Sequence, residues 1–141
     1  MNGCLIETNV VSEFVRPQPD PRVIGWLNRA DQERLFSSVV TIWEIRLGIE
    51  NLPMGKRRAE LESWFSTGVP DWFGGNLLPI TRPIADRWGR LRVGARRGGN
   101  VVAVAAGLIA ATAVEHELVV VTRNVKDFGV CGVPVVNPWE I

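Results

Sequence analysis

The sequence is poor in several residue types that common chemistries depend on. It has one histidine, His116, and no tyrosine, which removes two-histidine ribonucleases, His-rich metal sites and H-E-x-x-H zinc proteases. Two cysteines, Cys4 and Cys131, are too few for a disulfide framework, and no C-x-x-C spacing joins them. Both are predicted to be buried thiols. No run reaches the roughly 18 apolar residues that span a bilayer. The longest apolar stretch, Val101 to Val114, holds Gly107 and Thr112 and reads as a buried core helix. A basic region followed by an apolar one is missing from the N-terminus, so the expectation is a cytoplasmic protein without a membrane partner. Charge of one sign is also missing. Sixteen Lys and Arg against fifteen Asp and Glu give +1, so any hold on nucleic acid must come from a local patch. No G-x-x-x-x-G-K-[ST] surrounds Gly55-Lys56, and no G-x-G-x-x-G follows a strand, which disfavours nucleotide binding of the P-loop or Rossmann kind.

What is present is an ample apolar content of 46% in 141 residues, enough for one domain over 1–141 with a sizeable core. Short apolar runs alternate with helical periodicity. Gly3 to Ile6 reads as a strand that stops at the polar Glu7-Thr8-Asn9, with a helix over Val10 to Val15. Asp20-Pro21 is an N-cap with proline at the first helical position and opens a helix to Ala30. Leu35 to Ser37 reads as a strand, and Thr41 as the cap of a helix carrying Glu44 in its first turn. A helix over Lys56 to Phe65 is expected to break at the Gly68, Pro70, Gly74 and Gly75 region. Leu77 to Ile80 reads as a strand ended by its proline, and Ile84, Trp88, Leu91 and Ala95 mark a helix closed by Gly98-Gly99. After the 101–115 helix, Leu118 to Val121 is an uninterrupted apolar strand, which predicts burial on both faces. A turn or short helix with Asp127-Phe128 leads to a last strand, Val133 to Val136. The alternation predicts an α/β fold, a mostly parallel sheet with helices on both faces.

In such sheets ligands gather beyond the carboxyl ends of the strands. Two polar runs fall there, Glu7-Thr8-Asn9 and Thr122-Arg123-Asn124, the latter followed by Asp127. If the two strands are central neighbours, Glu7, Asp127 and Glu44 converge and suit Mg²⁺ or Mn²⁺, which favour carboxylate and water oxygens. Each acid taken singly also serves as a helix-dipole partner or a solvated charge. Thr8, Thr122 and Asn124 stand either as hydrogen-bond support for the acids or as caps. Six arginines lie between Arg82 and Arg97 against the single acid Asp86. Arg87, Arg90 and Arg97 can share a face suited to an RNA backbone, or one that is merely solvated. The Lys56-Arg57-Arg58 cluster is similar but has Glu60 and Glu62 close by. His116 reads as a cation at a helix C-terminus. Six tryptophans include Trp43, Trp64, Trp72 and Trp139, some of which suit a protein interface.

Taken together, Ile6 to Glu13, Trp43-Glu44-Ile45-Arg46-Leu47-Gly48-Ile49, Gly107 to Ala113, Val121 to Phe128 and Asn137-Pro138-Trp139 resemble the PIN-domain proteins. More narrowly the chain is similar to VapC ribonuclease toxins of the FitB-like branch, from end to end and in the same order. The resemblance implies a PIN-like α/β/α sandwich with a small parallel sheet and a Mg²⁺- or Mn²⁺-dependent endoribonuclease site of four acids. In that family the first acid opens D-T-N, the second lies in E-x-x-x-G, the third precedes G-x-I-A-A-T-A and the fourth follows T-R-N. The matching positions are Glu7, Glu44, Ala106 and Asp127. Glu7 keeps the charge of an aspartate but moves it by on the order of 1.5 Å, and Ala106 has no ligand atom. An impaired metal site is therefore expected, with weak or absent RNA cleavage. The alternative is a catalytically dead module that binds antitoxin in autoregulation of its operon. The resemblance further implies a homodimer, a cognate antitoxin laid across the active-site groove, a higher assembly of the two, and operator DNA reached only through the antitoxin.

Overall fold

The computed structural model describes residues 3–141. Its strands are β1 (Cys4–Ile6), β2 (Leu35–Ser38), β3 (Leu77–Leu78), β4 (Val119–Val121) and β5 (Val135–Val136). All pairings are parallel, in the order β3-β2-β1-β4-β5. β1 is central, with Leu5 opposite Phe36 on one side and Val120 on the other. The five-stranded sheet is thus wholly parallel, where the alternation predicted a mostly parallel one.

The helices are α1 (Thr8–Glu13), α2 (Pro21–Arg29), α3 (Val39–Glu50), α4 (Lys56–Ser63), α5 (Val69–Phe73), α6 (Arg82–Arg97), α7 (Val104–His116) and α8 (Val125–Val130). Successive strand residues point to opposite faces, and both faces are dry. Leu5 and Val120 pack with Ile84, Trp88, Ile109 and Phe128 beneath α6, α7 and α8. Ile6 and Val121 pack with Val10, Val11, Val23, Leu27, Ile45 and Trp139 on the side of α1, α2 and α3. The result is the expected three-layer sandwich, and the uninterrupted valines of β4 reflect burial from two sides.

Several boundaries differ from the sequence reading. α1 begins at Thr8, not Val10, because Glu7 caps it by accepting a hydrogen bond from the Asn9 amide at 2.9 Å. Ser38, not Thr41, caps α3, accepting from the Val40 amide at 3.0 Å, so Glu44 lies in the second turn. The helix from Lys56 does not break at Gly68 and Pro70. It passes through a π-helical turn, Trp64–Gly68, into α5 and ends at Gly74, whose φ of 53° suits glycine. Pro70 is the second residue of α5 and directly follows the π turn, where the regular hydrogen-bond ladder is already interrupted. β5 is shorter than expected, beginning at Val135.

α6 and α7 form a tight antiparallel pair. Its closeness has a specific cause: a Cβ placed on Gly107 would stand 2.2 Å from the Trp88 ring. The Trp88 indole, 7% exposed, uses the space that any other residue at 107 would fill. Among the described residues no helix is long and apolar enough to cross a membrane. Both cysteines are free, Cys131 buried as expected and Cys4 half-buried.

Candidate functional site

The strand order reverses direction at β1, with β2 and β3 on one side and β4 and β5 on the other. The crevice beyond the carboxyl ends of β1 and β4 is the topological switch point where open α/β sheets accept ligands. Glu7 follows β1 there and Thr122 follows β4. The Glu7 amide donates to the Val121 carbonyl at 3.0 Å, continuing the ladder one step past the strand. Asn9 then ties the two loops together. Its Nδ2 donates to Thr122 Oγ1 at 3.2 Å, and its Oδ1 accepts from the Arg123 amide at 3.3 Å. Thr122 is fully buried and also accepts from the Asn124 amide at 2.9 Å.

Glu44 reaches the same place from α3. Thr8 Oγ1 donates to Glu44 Oε1 at 2.6 Å and lies 2.9 Å from Thr41 Oγ1. A hydroxyl has one proton, so Thr41 must be the donor to Thr8. The chain Thr41 to Thr8 to Glu44 thus fixes one carboxylate oxygen. Glu7 is buried at 8% exposure. Burial raises its pKa, the Asn9 amide lowers it and the Glu44 charge raises it, with the net result at about 7 against the usual 4.5. Two carboxylates brought together, one of them drained of water, are short of positive charge. Hard oxygen donors of this kind suit Mg²⁺, which commonly takes one or two carboxylates and completes its shell with water or phosphate.

The third and fourth expected positions behave differently. Ala106 sits half-buried in the first turn of α7. That turn stands over the carboxyl edge, because Val104, Ala105 and Leu108 share a cavity of about 400 Å³ with Val39, Val40 and Trp43 at the start of α3, which directly follows β2. A methyl group occupies the position, so no ligand comes from it. Asp127 does not join Glu7 and Glu44. Its Oδ2 accepts from Asn124 Nδ2 at 3.1 Å, and its charge, after burial, helps push the Cys131 thiol up. Among the described residues no group of three or more His, Cys, Asp or Glu is placed to hold a metal ion. The anticipated convergence of three acids is thus reduced to two. Asp127 lies in the first turn of α8, where Asn124 of the β4 loop engages its carboxylate.

The expected arginine face is divided. Arg87 Nε donates to Glu115 Oε2 at 3.1 Å across the α6–α7 pair, so it turns away from Arg90 and Arg97. Arg90 lies 3.3 Å from Asp86, and both line a shallow cavity with Arg97. The basic cluster near residue 57 is engaged: Arg58 lies 2.9 Å from Glu50, and Arg57 donates to the Val15 carbonyl and pairs with Glu60. His116 is exposed in the last turn of α7, as a C-terminal cation would be. Of the four tryptophans named as interface candidates, Trp43 alone is exposed, at 55%.

A groove of about 370 Å³ leads away from the acids. Thr8, Ser12 and Glu44 form its polar head, Ile49, Leu52, Leu61 and Trp64 its apolar floor, and Arg16 and Arg57 its far rim. Sequence reasoning misses two residues of the site. Thr41 reads as a cap, and Asn9 as part of a turn. The only signal for either is an amide or hydroxyl next to a strand end, which is common to many loops.

The whole arrangement has close counterparts. The family description "PIN domain" matches residues 4–129. Toxin FitB of Neisseria gonorrhoeae is 39% identical over 136 residues, covering 96% of this chain and 98% of that protein. VapC ribonuclease Y4jK of Sinorhizobium fredii is 35% identical over 136 residues, covering 96% and 97%. Among solved structures, the crystal structure of FitAcB from Neisseria gonorrhoeae superposes with a TM-score of 0.92 at 38% identity, over 98% of this chain and 99% of that one.

Proposed function

The chain belongs to the PIN-domain family, and from that premise we propose that it is the toxin of a toxin–antitoxin pair, built on a metal-dependent endoribonuclease scaffold whose site is impaired. The observation that carries this reading is the Glu7 and Glu44 pair at the switch point, with Ala106 in the α7 turn that stands over the same edge. Glu7 and Glu44 are the residues that would hold Mg²⁺ or Mn²⁺. When bound, such an ion polarises a phosphodiester and lowers the pKa of a water. The chain's own part is positional. Thr8 and Thr41 aim Glu44, the Asn9 amide and side chain hold Glu7 and the β4 loop in register, and buried Thr122 anchors both. Asp127, held by Asn124 of the β4 loop, is the further catalytic candidate.

A second reading, an antitoxin-binding module without catalysis, is favoured by the absence of a three-acid cluster among the described residues. The groove suits that partner. A peptide with apolar residues for Leu52, Leu61 and Trp64 and a cation for Glu44 would lie across the acids and block them. The relatives' structures include "FitAB bound to IR36 DNA fragment", which fits operator contacts made through the antitoxin. The exposed apolar face of Val39, Trp43, Leu47 and Val104 on α3 and α7 suits a second copy of the chain.

The test is cleavage of total tRNA and rRNA in Mg²⁺ or Mn²⁺ by the purified chain, by Ala106→Asp, and by Ala106→Asp with Glu7→Asp, beside an EDTA control. Cutting by the restored variants alone, stopped by EDTA, is the expected result. Equal cutting by the unaltered chain would remove the impairment, and no cutting by any of them would leave the binding module as the function.

A further inference from the structure

The six arginines of α6 differ in what balances them. Arg87 and Arg90 face Glu115 and Asp86. Arg92 and Arg96 have no carboxylate within ion-pair distance among the described residues, yet they lie one turn apart on one side of the helix, where like charges repel. Together they line a cavity of about 240 Å³ whose other walls are Asn100, Val101 and Val102. No acid lines it, in contrast to the neighbouring cavity that holds Asp86 with Arg90 and Arg97. The loop wall is fixed, since the Asn100 amide donates to the Ala95 carbonyl at 2.9 Å. Asn100 Nδ2 is engaged only by the Gly98 carbonyl at 3.3 Å.

The place of this cavity matters as much as its charge. Val102 leads directly into α7, whose first turn stands over the carboxyl edge that bears Glu7 and Glu44. Those acids repel a polyanion, and the chain's overall charge of +1 does nothing to offset that. A compensating cationic point near the edge is what an RNA-acting site needs. Guanidinium forks match phosphate oxygens two at a time, and an amide nitrogen adds a third donor.

We propose that Arg92, Arg96 and Asn100 form a subsite for a backbone phosphate of the RNA, flanking the phosphodiester presented to Glu7 and Glu44. The inference rests on the reading that this chain acts on RNA. It moves the RNA contact from the expected Arg87, Arg90 and Arg97 to the one pair on α6 that shares a cavity and has no acid partner.

The test is equilibrium binding of total tRNA by the full chain in EDTA, where cleavage is off, as a function of salt. The Arg92→Ala/Arg96→Ala double variant is compared with Arg29→Glu, which removes the same two units of charge. Arg29 is exposed at the end of α2, beside the amino edge of the sheet. The expected result for the double variant is an affinity loss of about tenfold and a salt slope shallower by about 0.7, from one lost phosphate contact. Arg29→Glu is expected to leave the slope unchanged. An unchanged slope in the double variant overturns the subsite, and so does an equal change in Arg29→Glu, which would make net charge the cause. If the unaltered chain binds no tRNA, the RNA reading falls and takes the subsite with it. Binding that responds as expected, with no cleavage by any restored variant, leaves the subsite standing and removes the nuclease reading alone. A circular-dichroism melt of each variant checks that it is folded.

Discussion

At the scale of single residues, Glu7 is where the site and the stability of the fold oppose each other. Its pKa is near 7 when folded and 4.5 when not, so the folded state binds the proton more tightly. Its contribution is fully present below about pH 4.5 and is lost as pH rises through about 7. The burial is nearly complete, and the shift corresponds to roughly 3 kcal/mol at most. Without divalent metal, the melting temperature is expected to fall between pH 5 and pH 8, and Glu7→Gln to flatten that fall, melting on the order of 5 °C higher than the parent at pH 8. Calorimetry across that range checks it, with Mg²⁺ or Mn²⁺ expected to raise the parent at pH 8 and not the variant. Thr8 is the second test. Thr8→Val removes the donor to Glu44 and leaves the Thr41 hydroxyl unmatched, for an expected loss of about 1 to 2 kcal/mol in urea titration. Thr8→Ser should restore most of it. The acids after the strands were legible in the sequence because they interrupt apolar runs. The Thr41 and Asn9 contacts were not, because each joins residues whose meeting depends on the strand order, as the Asn9 side chain does across to Thr122.

At the scale of elements, periodicity located every strand and nearly every helix, and it failed where local chemistry had two solutions. Ser38 and Thr41 are both good caps, and the choice between them is settled by Thr41 being drawn to Thr8. Gly68 and Pro70 look like a break, yet the chain threads them through a π turn because Phe73 and Val69 must still be buried against Leu35 and Ile49. The Gly107-to-Trp88 contact is invisible to any helical wheel, since a glycine inside a helix ordinarily reads as a weakness. Gly107→Ala gains helix propensity of about 1 kcal/mol but drives a methyl into the indole. A net loss of about 2 kcal/mol is expected. In a double-mutant cycle followed by urea unfolding, Trp88→Leu should relieve the clash, so that it costs less in the Gly107→Ala background than alone. Additive costs would mean that the ring and the glycine do not meet.

At the scale of the whole molecule, the sequence predicted parallel strands and two-sided burial but not the order β3-β2-β1-β4-β5, since pairing between distant strands leaves no periodic trace. The apolar run of α7 predicted a buried helix, while its Val104 faces outward, as do Val39, Trp43 and Leu47 of α3. Trp43→Arg is expected to convert a dimer to a monomer in light scattering with little change in melting temperature. A dimer that persists would assign that face to some other partner. The strand order has a further consequence, in time. β1 is made early and pairs with β4, more than a hundred residues later, and the Glu7 amide takes its partner from Val121. Closing so long a loop waits for nearly the whole domain. Until β4 and the loop after it have been made, the carboxylates after β1 have no second loop to meet them and Asn9 has no Thr122. Any activity against RNA begins only once β4 has joined β1.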